Sequence, residues 1–228
     1  MKRLLPILAV FIAGCLSGEP GNEATIDPAA GIIYPAGFSL AGTLQCDQTR
    51  LSEQFDVAVN FVRLTDSIEQ EDSCLVQLLI RDKTSHAVLD SLTLSSIFYN
   101  DDVFAGCDNA RSYTTRHQAD REIYNGYQGD IIVADLNFDH LDDIAVISDV
   151  GFTSNALYHY FVQTTGRKFV ADTYLTDSVA YFPEKIDPLR QQLVTRVPAG
   201  VCCLGIHTYQ LGNANRQWQQ IAYETIGQ

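Results

Sequence analysis

Five oxygen donors fall at alternating positions in one short stretch of this chain. In A-D-L-N-F-D-H-L-D-D-I, residues 134–144, Asp135, Asn137, Asp139 and Asp143 take positions 1, 3, 5 and 9 of a loop, and the carbonyl of Leu141 falls at position 7. A hard cation such as Ca2+ takes about six to eight oxygens, part carboxylate and part carbonyl, and this spacing wraps a backbone around one ion. Carboxylates crowded so closely repel one another unless a cation lies between them. The expected chemistry is therefore calcium binding. Position 6, where such loops turn sharply and usually carry Gly, is His140. A non-Gly residue at positive φ is uncommon, although His is among the types enriched there. That departure points to the roughly 10⁻⁴ to 10⁻³ M affinities of extracellular calcium modules. The alternative is a solvated acidic hairpin loop that binds nothing tightly.

Other chemistry finds little support. The chain has no G-x-S-x-G, no H-E-x-x-H and no G-x-G-x-x-G, and its five histidines (His86, His117, His140, His159 and His207) are scattered. Asp139, Asp142 and Asp143 are the types a glycosidase pairs. Confined to one tight loop, they suit an ion better than a sugar held between an acid and a base. No enzyme is expected.

The elements that must hold the loop read as strands. Ile131 to Ala134 and Ile144 to Ile147 are apolar runs on either side of it, so the loop joins a hairpin. Phe55 to Leu64 alternates apolar and polar residues. Cys74 to Arg81 and Ala87 to Leu94 flank the turn D-K-T-S, and Ala156 to Gln163 and Lys168 to Ala171 flank T-T-G-R. Gln192 to Val197, Leu204 to Leu211 and Trp218 to Glu224 close the chain, whereas residues 97–128 form a long polar excursion. The fold class expected is all-β: a single antiparallel β-rich domain, sandwich or propeller-like meander, with the calcium loop in a hairpin. The D-x-N-x-D pattern occurs once, so a full propeller with one loop per blade is not expected.

The N-terminus sets the compartment. Lys2 and Arg3 precede the apolar run Leu4 to Ala13, and I-A-G-C ends at Cys15. Residues 1–14 read as a secretory signal too short to span a membrane. Ile12 to Cys15 resembles a bacterial lipobox, which implies that Cys15 is lipidated. Leu16 in place of Asp points to the outer membrane, and the lipid would be the only membrane contact. Residues 15–31, small, polar and rich in Gly and Pro, read as a flexible tether, leaving 32–228 as the β-rich domain.

The net charge is −13; without Lys2 and Arg3, 13 basic residues face 28 acidic ones. Such a surface repels nucleic acid and anionic headgroups and favours a basic protein partner. Beyond Cys15 there are five cysteines (Cys46, Cys74, Cys107, Cys202 and Cys203), with no C-x-x-C pair. Disulfides suit an oxidising envelope, and the odd number leaves one thiol over. The adjacent Cys202 and Cys203 can bond each other or serve separate partners.

D-L-N-F-D-H-L-D-D-I-A-V, S-N-A-L-Y-H-Y-F-V-Q, F-V-A-D-T-Y-L-T-D and Y-F-P-E-K-I-D-P, spread over roughly residues 74–200, together resemble a group of bacterial periplasmic lipoproteins. Its characterised member is an immunity protein of an antibacterial type IV secretion system, similar in fold to inhibitors of invertebrate-type lysozyme. The resemblance implies a lipid-anchored, calcium-binding inhibitor of a peptidoglycan hydrolase, with Asp135, Asn137, Asp139, Leu141 and Asp143 as the calcium loop. It also implies an inhibitory loop carrying a Ser-Gly-like turn and a Tyr. The nearest stretch is G-F-T-S-N-A-L-Y, which nominates Gly151, Phe152, Ser154, Asn155 and Tyr158 as partner-binding residues, with Asn155 standing where Gly is expected. Tyr158 is equally readable as a strand residue facing the core, and Phe161 is read as one. The competing expectation is an envelope β-domain whose calcium is structural and whose partner is a surface protein or glycan.

Overall fold

The computed structural model describes residues 24–27, 32–35, 38–66, 72–97, 106–118, 128–150, 155–212, 214 and 216–227. The signal segment, Cys15, Gly151, Phe152 and Ser154 lie outside these residues. The chain is all-β and divides into two compact units, Met1–Phe38 and Ser39–Gln228. In the first unit β1 (Ala24–Asp27) pairs antiparallel with β2 (Ile32–Pro35), with Thr25 opposite Tyr34 and Ile26 opposite Ile33. β1 falls inside the stretch expected to be a structureless tether. The Gly and Pro around it obscured a short run whose β-branched Thr25 and Ile26 favour extended pairing.

The second unit is built from three sheets. β3 (Phe38–Gln48), β4 (Phe55–Asp66), β5 (Asp72–Asp82) and β6 (Val88–Ile97) form a four-stranded meander in chain order. The five-stranded sheet contains β7 (Ala110–Ser112), β8 (Ile131–Ala134), β9 (Asp143–Val150), β10 (Ala156–Gln163) and β11 (Phe169–Ala171), in the order β11-β10-β9-β8-β7. β7 runs parallel to β8, and the other pairs are antiparallel. After a π-helical turn at Leu175–Val179, the strands β12 (Lys185–Asp187), β13 (Gln192–Pro198), β14 (Cys203–Leu211) and β15 (Trp218–Gly227) form a second meander.

Burial follows the strand period. On β4 and β5, Val57, Val59 and Phe61 and the facing Val76, Leu78 and Ile80 point inward, while Ala58, Asn60, Gln77 and Leu79 stay half-buried. β8 and the matching part of β9 are buried on both faces, so they read as continuous apolar runs rather than alternating ones. One hydrophobic cluster joins the first two sheets, with Phe55 meeting Phe169 edge to face at 5.4 Å. Polar ties run between the same sheets: Arg167 pairs with Asp82 at 2.5 Å, Lys168 with Asp90 at 3.6 Å, and Ser96 Oγ donates to the Ser148 carbonyl.

Cys46 on β3 is disulfide-bonded to Cys107, and Cys202 is bonded to its neighbour Cys203 at the turn between β13 and β14. Cys74 is the thiol left over. It is fully buried on β5, and that burial pushes its pKa up to about 12. Among the described residues no helix is long and apolar enough to cross a membrane.

Candidate cation-binding loop

Residues 135–142 connect β8 to β9, and their side chains fold back on the loop's own backbone. Asp135 accepts the Asp139 N–H on Oδ1 and the His140 N–H on Oδ2, both at 3.1 Å. Asn137 Oδ1 also accepts the Asp139 N–H, and Asp139 Oδ1 accepts that of Leu141 at 2.9 Å. The Asn137 amide donates to Asp139 Oδ2 at 3.1 Å. Asp143, fully buried at the start of β9, draws together three parts of the chain: Oδ2 accepts the N–H groups of Leu136 (2.9 Å) and Asn137 (3.3 Å), and Oδ1 accepts that of Gln163 (2.8 Å).

This wrap holds two side-chain-bearing residues in the left-handed region, Phe138 at φ 59° and His140 at φ 68°. Each costs roughly 1–2 kcal/mol relative to ordinary backbone, and such strain persists only where surroundings over-determine it. Three outside anchors do so. The Phe138 ring packs against Trp218 at 5.9 Å, the Arg216 guanidinium donates to the Asn137 carbonyl, and Asp142 Oδ2 accepts from Ser52 Oγ at 2.5 Å. Ser52 Oγ in turn accepts the Gln54 and Phe55 N–H groups at the entry to β4. His140→Gly is expected to relieve one strained residue and stabilise the protein by about 1 kcal/mol. Urea midpoints of the two proteins check this, and an unchanged midpoint would argue that the loop relaxes around His140.

Burial pushes the Asp143 carboxyl up to about 8, with the nearby Asp139 charge adding to the rise and three N–H donors opposing it. Asp135 is also raised, chiefly by burial. Between the ordinary Asp value, about 3.9, and about 8, the folded protein without a cation binds a proton that the unfolded chain has released. Its stability must therefore fall as pH rises through that window. A cation holds the ionised form and should flatten or reverse the slope. Melting temperatures from pH 5 to 8.5, in chelator and in calcium, test this; parallel curves would remove Asp143 from the cation site.

Among the described residues, no three His, Cys, Asp or Glu side chains converge as a ready-made metal cluster. The donors are nevertheless all oxygen, and an ionised carboxylate has about four lone-pair sites, so Asp135, with one N–H on each oxygen, and Asp143, with two on Oδ2 and one on Oδ1, each keep a site for a cation. The set Asp135, Asn137, Asp139, Leu141 carbonyl and Asp143 thus fits a hard ion in chemistry and in backbone course, as calcium requires. The sequence pattern did not single out Ser52, Arg216 or Trp218 as the residues that clamp the loop from other elements. Nor did it single out Gln163, whose buried side-chain amide has neither atom hydrogen-bonded.

The nominated partner segment fares differently. Asn155 is 5% exposed and Tyr158 is 1% exposed. The Tyr158 hydroxyl donates to the Gly129 carbonyl at 3.0 Å and accepts the Gln128 N–H at 3.1 Å, and its ring meets Tyr160 and Phe182. Both residues therefore belong to the interior and offer a partner no surface, a correction to the expectation for them. The period-two inward set Ala156, Tyr158, Tyr160 was the available signal. Phe161 packs half-buried against the core, as read.

No family model matches the chain, and no curated protein matches it. A solved structure is similar: a Xanthomonas Type IV Secretion System related protein, 15% identical, with a TM-score of 0.50 over 82% of this chain and 87% of that one. At this identity the likeness is one of fold, and the chain shares its β architecture with that secretion-related protein.

Proposed function

We propose that this chain is a calcium-binding inhibitor of the immunity type, held at the outer membrane through a lipid on Cys15 and directed against a peptidoglycan hydrolase. The observation that supports calcium most strongly is the strained wrap of residues 135–143, which keeps Phe138 and His140 left-handed around an all-oxygen donor set. The motif resemblance supports the inhibitory role. The fold likeness to a protein described as type IV secretion related agrees with the setting. A net charge of −13 would steer a basic hydrolase toward the protein. Asn155 and Tyr158 leave the proposed contact; Gly151, Phe152 and Ser154 stay in it.

The test is peptidoglycan lysis by a panel of muramidases with the protein added, in calcium and in chelator. A form beginning at residue 16 keeps the β1–β2 hairpin intact. One enzyme inhibited in calcium and released in chelator is the expected result. Burial of Asn155 and Tyr158 favours the second reading, an envelope domain with structural calcium. That reading takes over if calcium raises the melting temperature while no enzyme is inhibited.

A further inference from the structure

We infer that β15 is a self-association edge, where two copies of this chain join their C-terminal sheets into one continuous sheet through antiparallel pairing of β15 with β15. This inference is independent of the reading of the cation loop and of any hydrolase.

Among the described residues β15 is the outermost strand of its sheet, with β14 as its only strand neighbour, paired from Cys203–Gly227 to Leu211–Trp218. Among the described residues no strand pairs with the backbone donors and acceptors along its other side. Only Trp218 is buried; every residue from Gln219 to Gly227 is exposed, so both faces and the free edge meet solvent. Ile221, Tyr223 and Ile226 are 47%, 53% and 37% exposed. The other long edge strands are each tied to a neighbouring element at one end. β3 is tied to Cys107 by the disulfide and by the Gln48 amide, and β6 is joined to β9 through Ser96 and Ser148.

The strand is ordered for pairing. A Cβ on Gly205 would lie 3.0 Å from Tyr223 Cε2, so the glycine leaves room for the Tyr223 ring to lie across β14, where His207 meets it at 4.7 Å. The register shift opposite Thr208 and Tyr209 leaves the run from Ala222 to Gly227 regular. Native proteins protect an open edge with Lys, Pro or inward charge. Here the sequence W-Q-Q-I-A-Y-E-T-I-G contains none of these and a single charge, Glu224.

Charge identifies the occupant. Two copies of a −13 chain repel each other overall, and β15, with one carboxylate among its 10 residues, is a strip along which that repulsion is weak. A basic partner would find one carboxylate on it. An antiparallel pair is related by a two-fold axis normal to the sheet, so each residue faces one an even number of positions away. Centred on Tyr223, the pairing sets Glu224 opposite Ala222 of the second copy; centred on Thr225, it sets Glu224 opposite Ile226. Neither register opposes like charges, and the first sets the exposed Tyr223 against its counterpart in the second copy.

Sedimentation velocity of the full chain in non-ionic detergent, over a concentration series, tests this. The expected species has twice the protein mass of one 25.3-kDa chain. Ile221→Lys with Tyr223→Lys, which puts like charges onto the joined edges, should halve that mass while leaving the melting temperature near the parent's. A wild-type protein that stays a single chain throughout, or a two-copy species that survives the double substitution, overturns the proposal. If the double variant fails to fold, separate Tyr223→Cys and Thr225→Cys proteins decide. A reducible two-chain band from either one supports the edge pairing, and none from both overturns it.

Discussion

Asp143→Ala is expected to be among the most damaging single substitutions in this protein. The carboxylate accepts three backbone N–H groups, from Leu136, Asn137 and Gln163, in a fully buried position. Alanine leaves all three without an acceptor. Each orphaned buried donor costs about 1–3 kcal/mol, so the loss is about 3 kcal/mol or more even in chelator. It should be larger in calcium, where the variant also forfeits the stabilisation that ligand binding gives the folded state. Chemical denaturation in both conditions measures the two parts separately. Asp143→Asn keeps the shape but turns an NH2 group toward N–H donors, and should fall between wild type and alanine. A loss near 0.5 kcal/mol for the alanine variant, the size of an ordinary surface change, would mean that the N–H groups find other acceptors and that Asp143 is no keystone.

The second large effect is expected from the cross-link between Cys46 and Cys107. The two residues are 61 positions apart, and closing a loop of that length in the unfolded chain is worth about 4 kcal/mol on the chain-entropy account. Replacing both by Ser avoids a stray thiol and should lower the urea midpoint accordingly. Replacing Cys202 and Cys203 should barely move it, because a bond between neighbours constrains almost none of the unfolded chain. Equal effects from the two pairs would show that native-state packing at the disulfides, rather than loop closure, sets the stability.

Much of the sheet framework was legible because its strands carry a strict period. β4 alternates, β8 and β9 are short unbroken apolar runs, and the turns at Asp82 and Thr164 are made of turn-forming residues. β7 was not legible. Three residues inside a polar excursion become a parallel strand only because β8 lies beside them, a relation no local window contains. β1 was hidden by its neighbours' composition, and the π-helical turn at Leu175–Val179 by its length. The loop's donors could be read from spacing alone, since a cation's demand for alternating oxygens is a one-dimensional pattern. Its clamps could not, because Ser52, Arg216 and Trp218 reach it from distant parts of the chain. Tyr158 shows the opposite failure. The same alternation that marks β10 assigns Tyr158 to its inward face, whereas the motif likeness placed that residue at a surface.

The buried thiol on β5 bears on how the molecule is made. Cys74 lies between Cys46 and Cys107 in the sequence, so a chain emerging N-terminus first presents Cys46 with Cys74 well before Cys107 is available. The shorter loop is also the easier one to close. In the unfolded chain Cys74 has an ordinary thiol pKa and competes as a nucleophile; once β5 is laid between β4 and β6 it is fully buried and silent. Correct oxidation is thus a race between forming the β4–β5 hairpin and forming a bond. The hairpin serves as a protecting group that hides one sulfur until the right one arrives.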